Sequence, residues 1–415
     1  MAGTRLSSMA WRNLWRNRRR TLVTLSSIAF GVMLAVLMTG LGDRSWTDVI
    51  DLAARMGTGH VTIQHPGYLD TPSLKRTIAD ASALEEIALA TGEVTRAVGR
   101  ISGQTMLAAA DKSYGAAFIA VDPAAEDAGT LSVVDAFREG RMFASSRESG
   151  IILGSKLAEN LGVRMGRKVV YTMTDKQGEI VSGLARVSGI IHTGAPSLDA
   201  GLCLLPIDTV REALGYREDE ATEVALFVRD HRRSEALATR LDGLVGDGAD
   251  ALTWRETQPE LAGFISMKIG GTIVFEIVIA ILVAAGIFNT MFMSVMERLR
   301  EFGVLMAIGF GPRRLFGLVM WESLWMALVG IAVSAVVTAG PYWVLHARGL
   351  DFSAMVGKGG SEVAGVVIDP ILHVAIFPEN VVVIGLAVIL ATLLSGLYPA
   401  WRAGRVVPVE AIKLV

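Results

Sequence analysis

A short, dense run of charge joins two long apolar segments in MERLREFGVLMAIGFGPRR (296–314). Glu297, Arg298, Arg300 and Glu301 share one short stretch, and opposite charges three or four residues apart support an exposed helix. An apolar VLMAI follows, and GFGP ends the helix. Two readings fit: an ordinary polar connection held on one side of a membrane by its arginines, or a helix that docks another protein. Bond-making chemistry has little to work with elsewhere. GVRMGRK (162–168) lacks the GxxxxGK[ST] spacing that wraps phosphates, and GFGPRR (309–314) fails GxGxxG at its last position. No GxSxG elbow presents a serine nucleophile. His60 and His65 could share an ion, but no HExxH-type spacing exists, so a packing or surface role is expected and no metal. The lone Cys203 excludes an internal disulfide. The chain reads as non-catalytic, with no cofactor of its own.

The elements around that turn are apolar. Hydrophobic residues make up 52% of the 415, charged residues 19%, and the net charge of −2 gives no case for nucleic acid. A mean hydropathy of +0.46 is high for a soluble enzyme. The surplus collects in four runs, each long enough to cross a hydrocarbon core of about 30 Å. The expected order is an amphipathic N-terminal helix (1–21), spans at 22–42, 271–295, 315–345 and 381–399, the charged turn at 296–314, and a tail at 400–415. The first run is too long for a signal peptide, and no small-x-small cleavage site follows it in GLGDRS, so an uncleaved anchor is expected. Arg12 to Arg20, then Arg298, Arg300, Arg313 and Arg314, then Arg402, Arg405 and Lys413, flank alternate ends of the spans. The positive-inside rule places all three groups, and both termini, in the cytoplasm. Residues 43–267 and a loop at 346–380 then lie outside. Glu276 and Glu322 are the ionisable groups singled out inside the runs, too few for a proton relay.

The region 43–267 is too long for a loop. GHVTIQ (59–64), GAAFIAV (115–121), GIIL (150–153), KVVYTM (168–173) and EVALFV (223–228) read as strands. ALEEIALA (83–90), SKLAENLG (155–162), IDTVREALG (207–215) and SEALATRLDGLV (234–245) read as helices. The fold class expected is a membrane α-helical protein of four transmembrane helices, with a large α+β periplasmic domain inserted between helices 1 and 2.

ERLREFGVLMAIG closely resembles the hallmark of permeases of ATP-binding-cassette transporters in the macrolide-exporter, cell-division (FtsX) and lipoprotein-releasing (LolC/LolE-like) superfamily. AWRNLWRNRRRT (10–21), GIILGSKLAENLGVRMGRKV (150–169), TWRETQPELAGF (253–264) and YPAWRAGRVVPVEAI (398–412) are similar to further family segments, so the likeness runs along the whole chain. The resemblance implies a bacterial inner-membrane protein whose external domain is periplasmic and has a porter-like part plus an inserted lobe. It implies two permeases, identical or paralogous, on two copies of a cytoplasmic ATPase that holds ATP and Mg²⁺. It makes 296–311 the coupling helix, with Glu297, Arg298, Arg300, Glu301, Gly303, Ala307 and Gly309 as ATPase contacts and Glu322 at a usual glutamate position. Some members fuse the ATPase to the N-terminus; the short segment before span one here implies a separate subunit.

So little intramembrane polarity argues against an aqueous tunnel, and the mechanism that the resemblance implies is mechanical transmission. Gly31 with Ala35, and Ala280 with Ala284, offer small faces for close helix approach. The cargo expected is a lipoprotein or other amphiphile, passed to a periplasmic carrier or adaptor. Three acyl chains hold on the order of 40 CH₂ groups, so bare extraction from lipid would cost roughly 30 kcal/mol. That calls for an apolar shelter, which Met38, Leu41, Trp46, Phe264, Ile265, Met267 and Phe275 could line; ordinary packing or lipid contact is the plainer reading for each. Lipoprotein release ranks first. Efflux of drugs or peptides is the alternative, and FtsX-like control of cell-wall hydrolases a third.

Overall fold

The computed structural model describes residues 2–356, 361–363 and 366–405. Residues 406–415 of the expected tail and C-terminal motif lie outside the described residues, as do Met1 and positions 357–360 and 364–365 of the second loop. Contacts divide the chain into two units, one of Met1–Ser45, Ser266–Asp351 and Ile371–Val415, the other of Trp46–Ile265 and Phe352–Pro370.

Helix α1 (Ala2–Arg16) is amphipathic and buries Ala10 and Leu14. At Asn17 the chain turns into α2 (Arg18–Ala54), where Thr21 Oγ1 donates to the Leu14 carbonyl at 2.6 Å. The expected 22–42 span is only the apolar centre of α2. The helix continues because WTDVIDLAA holds no Gly or Pro and gathers Val49, Ile50 and Ala53 on one face. That face is buried with Trp254 and Leu261 in the external unit.

The external unit is built on ten strands: β1 (Val61–Gln64), β2 (Val94–Ala109), β3 (Lys112–Val121), β4 (Phe137–Gly140), β5 (Gly150–Gly154), β6 (Lys168–Thr174), β7 (Ile180–Ile191), β8 (Leu202–Pro206), β9 (Glu223–Val228) and β10 (Asp250–Thr253). Their order is β10-β1-β9-β2-β3-β8-β5-β7-β4, with β6 bridging β2 and β7. All five expected strands are present. The long β2 and β7 were not expected, because Gly, Ser and Arg interrupt their apolar alternation. Helices α3 (Ala81–Ala90), α4 (Ser155–Leu161), α5 (Pro196–Gly201), α6 (Ile207–Leu214) and α7 (Ser234–Val245) cover the sheet. One core packs Phe118, Ile151 and Leu153 against Leu157 and Leu161 of α4 and Val210 and Leu214 of α6. A second packs Val61, Ile63, Val224 and Leu226 against Leu84 of α3 and Leu237 and Leu241 of α7. Each such side chain is worth about 1.5–3 kcal/mol when fully buried. Helices α4 and α6 stop at Gly162 (φ 70°) and Gly215 (φ 68°), left-handed positions that favour glycine.

A capping box between Thr253 and Glu256 starts α8 (Trp254–Thr257), and Pro259 opens α9 (Pro259–Glu297). Helix α10 (Leu299–Ala307) forms the turn into α11 (Pro312–Arg348). Next come β11 (Leu350–Asp351), α12 (Ser353–Val356), β12 (Ser361–Val363), β13 (Val366–Ile368), β14 (Ile371–Leu372) and α13 (Pro378–Ala403). The second loop is not a free connection: residues 352–370 belong to the external unit. Val366 is 1% exposed within the Val49–Trp254 cluster, and Ser197 Oγ donates to Glu362.

Helices α2, α9, α11 and α13 are each long and apolar enough to cross a membrane. Their apolar windows are unequally buried, 33% for α2 and α11 but 6% for α9 and 11% for α13. Helix α9 and much of α13 therefore turn apolar side chains outward. Close approaches involve glycine: a Cβ on Gly31 would lie 2.4 Å from Val283 Cγ2, and one on Gly330 2.8 Å from Ile28 Cγ2.

In the external unit Arg100 is fully buried. Its Nε and Nη2 donate to Glu126 at 2.6 and 2.8 Å, Nη2 also to the Thr130 carbonyl at 2.9 Å, and Nη1 to the Gly57 carbonyl. Glu126→Ala is expected to destabilise the chain by about 3–5 kcal/mol, because it strands a buried charge. Replacing both partners with apolar residues is expected to cost much less. Denaturant unfolding followed by circular dichroism distinguishes the two.

Candidate functional site

The helices of the membrane unit gather at the α10 turn. Arg298, where α9 passes into α10, is 8% exposed and Glu322 of α11 is 6% exposed. Arg298 Nη1 donates to both Glu322 oxygens, at 3.0 and 3.1 Å, and Asn13 Nδ2 of α1 donates to Oε1 at 2.8 Å. The guanidinium also lies 5.1 Å from the Phe302 ring centroid, and its Nε reaches Glu301 at 3.3 Å. Three helices thus share one buried pair. Around it, Arg16 Nη2 grips both oxygens of Glu301 at 2.8 and 2.9 Å. Arg20 bonds Glu297 at 2.7 Å and Ser294 Oγ at 2.6 Å. Trp11 meets Trp325 edge to face at 5.0 Å, and the Trp325 indole N–H donates to Ser7 Oγ. The exposed pairs add little each; the buried one decides the geometry.

Among the residues expected to meet an ATPase, Glu297, Arg298, Glu301 and Glu322 make bonds inside this unit, and Gly303 is buried. Arg300, Ala307 and Gly309 are exposed. Val304 (49%) and Ile308 (75%) join Arg300 at helical spacing and form an outward stripe. Gly309, at φ 93°, ends the helix. The latch residues Asn13, Arg16 and Arg20 were missed as site residues. Read along the chain they are a topology signal, and nothing local links them to partners some 280 residues away in sequence. Among the described residues, the basic groups next to α1, α10 and the end of α13 lie at one end of the unit: α1 holds α10, and a Cβ on Gly404, just after α13, would lie 3.1 Å from the Pro312 carbonyl.

The residues expected to form a shelter do not form one set. Trp46 and Phe264 pack edge to face at 6.2 Å in the external unit, and Ile265 is 3% exposed in the same cluster. Met38 and Leu41 are half-buried on α2, while Met267 and Phe275 are exposed on α9. A separate apolar crevice of about 240 Å³ runs between α2, α9 and α13, lined by Gly31, Ala35, Ile273, Ala280 and Val383 among others, and none of the seven enters it. Glu276 sits on its wall and accepts from Thr39 Oγ1 at 2.6 Å. His60 is not posed for an ion: its Nε2 contacts Asp51 at 2.9 Å, and it is buried. Among the described residues no three His, Cys, Asp or Glu gather as metal ligands.

A family profile described as the FtsX-like permease C-terminal matches residues 273–408, and one described as the MacB-like periplasmic core domain matches residues 21–244. The macrolide export ATP-binding/permease protein MacB of Nitrobacter winogradskyi is 25% identical over 425 residues, covering 95% of this chain and 58% of that protein. The lipoprotein-releasing system transmembrane protein LolC of Xylella fastidiosa is 26% identical over 295 residues, covering 64% of this chain and 65% of that protein. The chain thus spans under two thirds of the length of these relatives. An uncharacterized ABC transporter permease of Methanocaldococcus jannaschii is 24% identical, covering 98% of this chain and 97% of that protein.

Removing one side of the buried pair is expected to cost about 3–5 kcal/mol, so Arg298→Met and Glu322→Met should each lower the melting temperature sharply, and the double variant less than their sum. A double-mutant cycle from melts in detergent measures this. Burial raises the Glu301 carboxyl, but the hydrogen bond and charge of Arg16, and then those of Arg298, outweigh it and hold it below its ordinary value. A depressed carboxylate stabilises the α1–α10 latch above the ordinary glutamate value of about 4.3 and ceases to as pH falls through the folded value. Spin-label distances between α1 and α10 should stay constant from about pH 8 to 5 and broaden below about pH 4, with the step absent in Glu301→Gln.

Proposed function

The chain belongs to the FtsX-like permeases of ATP-binding-cassette transporters that carry a MacB-like periplasmic core domain, and from that premise we propose that it is the membrane subunit of a machine driven by a separate cytoplasmic ATPase pushing on α10. One observation carries this. Helix α10 is latched on its inner side to α1 and α11, yet exposes Arg300, Val304 and Ile308 outside the spans, an apolar stripe with a charge that a partner would cover. A helix so latched cannot tilt alone; a push on its outer stripe passes through Arg298–Glu322 into α11 and through Arg16–Glu301 and Arg20–Glu297 into α1 and α2. The boundaries of the external unit fall inside α2 and α9, so motion of those helices is the route to the external domain. The shared end of the three basic groups supports a cytoplasmic α10 and a periplasmic external unit in a bacterial inner membrane.

The cargo we propose is a lipid-anchored protein, released from the membrane for delivery to the outer membrane. The outward face of α9, with Met267, Val274 and Phe275 exposed, supports an acyl-chain path continuous with lipid. Efflux of a drug or peptide is the second reading, favoured by the MacB relative's alignment over 95% of this chain.

Val304→Asp with Ile308→Asp is expected to abolish co-purification of the ATPase and cargo-stimulated hydrolysis while leaving the melt of the chain alone unchanged, since each truncation at the centre of such an interface costs about 2 kcal/mol. Stimulated activity in this variant would overturn the docking assignment. A photo-crosslinker at Met267 is expected to capture acylated protein; capture of soluble drug or peptide instead replaces release by efflux.

A further inference from the structure

The external unit holds a cavity of about 680 Å³ unconnected with the α10 network, within the size range of small-molecule sites. Its polar wall comes from strand pairing. Gln64 of β1 stands directly opposite Glu223 of β9, and Glu223 directly opposite Arg100 of β2, so the three side chains share one face of the sheet. The neighbouring Ile63 and Val224 point the other way, into the second core.

Glu223 is 3% exposed, and one of its oxygens accepts from Ser102 Oγ. Arg100 does not neutralise it, because that guanidinium is bonded to Glu126, Thr130 and Gly57. Lys75, at the rim, makes no ion pair with Glu223 among the described residues; its Nζ lies beside Gly178. Glu223 is thus a buried carboxyl with no cation bonded to it, and the Arg100 charge acts on it only from the paired strand. Burial pushes its affinity for a proton up, against the Ser102 hydrogen bond and the Arg100 charge. Gln64 is also 3% exposed, and its carboxamide reaches the cavity yet bonds to no described residue. Its amide atoms are not among the sealed-off unsatisfied atoms of the described residues, so they face the open space of the cavity, where a ligand with donors or acceptors can meet them. Leu69, Leu74, Phe118 and Ile119 give the lining an apolar side, while Tyr68, Lys75, Gln104 and Asp175 add further polar groups.

We propose that this cavity is a binding site for a primary alkylammonium ion, its ammonium held by Glu223 and the Gln64 carbonyl and its alkyl chain lying against Leu74, Phe118 and Ile119. The ammonium supplies the charge that Arg100 withholds and the donor that Gln64 lacks. An anion would meet a carboxyl, and a purely apolar molecule would leave both polar groups unmatched. The site rests on no step of the transport cycle proposed above.

The test is isothermal titration of the full chain in detergent with n-butylammonium chloride, and with 1-butanol as its uncharged counterpart. Saturable ammonium binding is expected, with butanol at least about tenfold weaker, because only the cation makes a charge-assisted bond. Glu223→Gln keeps an acceptor for Ser102 and is expected to weaken ammonium binding about tenfold or more; Gln64→Leu is expected to weaken it severalfold. Partition into detergent is common to all three chains and subtracts out. Melts of both variants verify folding, and Gln64→Leu carries the test alone if Glu223→Gln does not fold. Absence of saturation at about 10 mM, equal binding of butanol, or unchanged binding in the folded variants would each overturn the assignment in favour of a water-filled cavity.

Discussion

A single buried ion pair, Arg298 with Glu322, determines what the rest of the membrane unit can do. Both groups leave water, and Asn13 adds a donor from a third helix. The desolvation penalty of such a pair is large, so its use is geometric rather than stabilising: it fixes how α9, α10 and α11 meet. Everything outside it is softer. Arg16, Arg20 and the tryptophans of α1 and α11 are exposed or half-buried, and they add direction more than energy. The result is a short helix tied down on one side and open on the other.

That asymmetry gives the stripe on α10 its meaning. An apolar Ile308 inside a span needs no explanation, because lipid satisfies it. At the end of a helix bundle, among Arg300, Arg313 and Arg314, it is an exposed hydrophobic surface with a charged rim, the anatomy of an interface. Helix α9 presents the opposite case. Its outward apolar face lies within a span, where lipid or an acyl chain satisfies it. In the external unit, Arg100–Glu126 repeats the theme of α10, since a guanidinium bonded to one carboxylate leaves a second, Glu223, without a bonded cation.

Much of the fold was legible along the chain. The four apolar runs, the charged turn and five strands follow from local periodicity and length, because burial in lipid or on one face of a sheet acts on neighbouring residues. The ends of elements were less legible. Helix α2 runs past its apolar stretch because Val49, Ile50 and Ala53 find a partner in Trp254, a contact about 200 residues distant that no local pattern announces. Strands β2 and β7 escaped because Gly99, Gly103, Gly183 and Gly189 break the alternation; at Gly183 a Cβ would lie 2.1 Å from the Tyr171 ring, so the gap in the pattern is itself a packing requirement.

For the site, the sequence by itself determined the kind of residue present: a dense run of Glu and Arg between two spans, followed by a Gly-rich stop. Only the tertiary structure decided which of those charges face inward and which outward. Arg298 and Arg300 stand two positions apart and look equivalent as letters, yet Arg298 is the non-helical residue between α9 and α10 and Arg300 lies in the first turn of α10. One is sealed against Glu322 and the other is open to solvent. The shelter residues were divided in the same way, Trp46, Phe264 and Ile265 into a core and Met267 and Phe275 onto an exposed face. Composition sets what a segment can do, but burial assigns each side chain to structure or to recognition, and burial is a property of the whole fold.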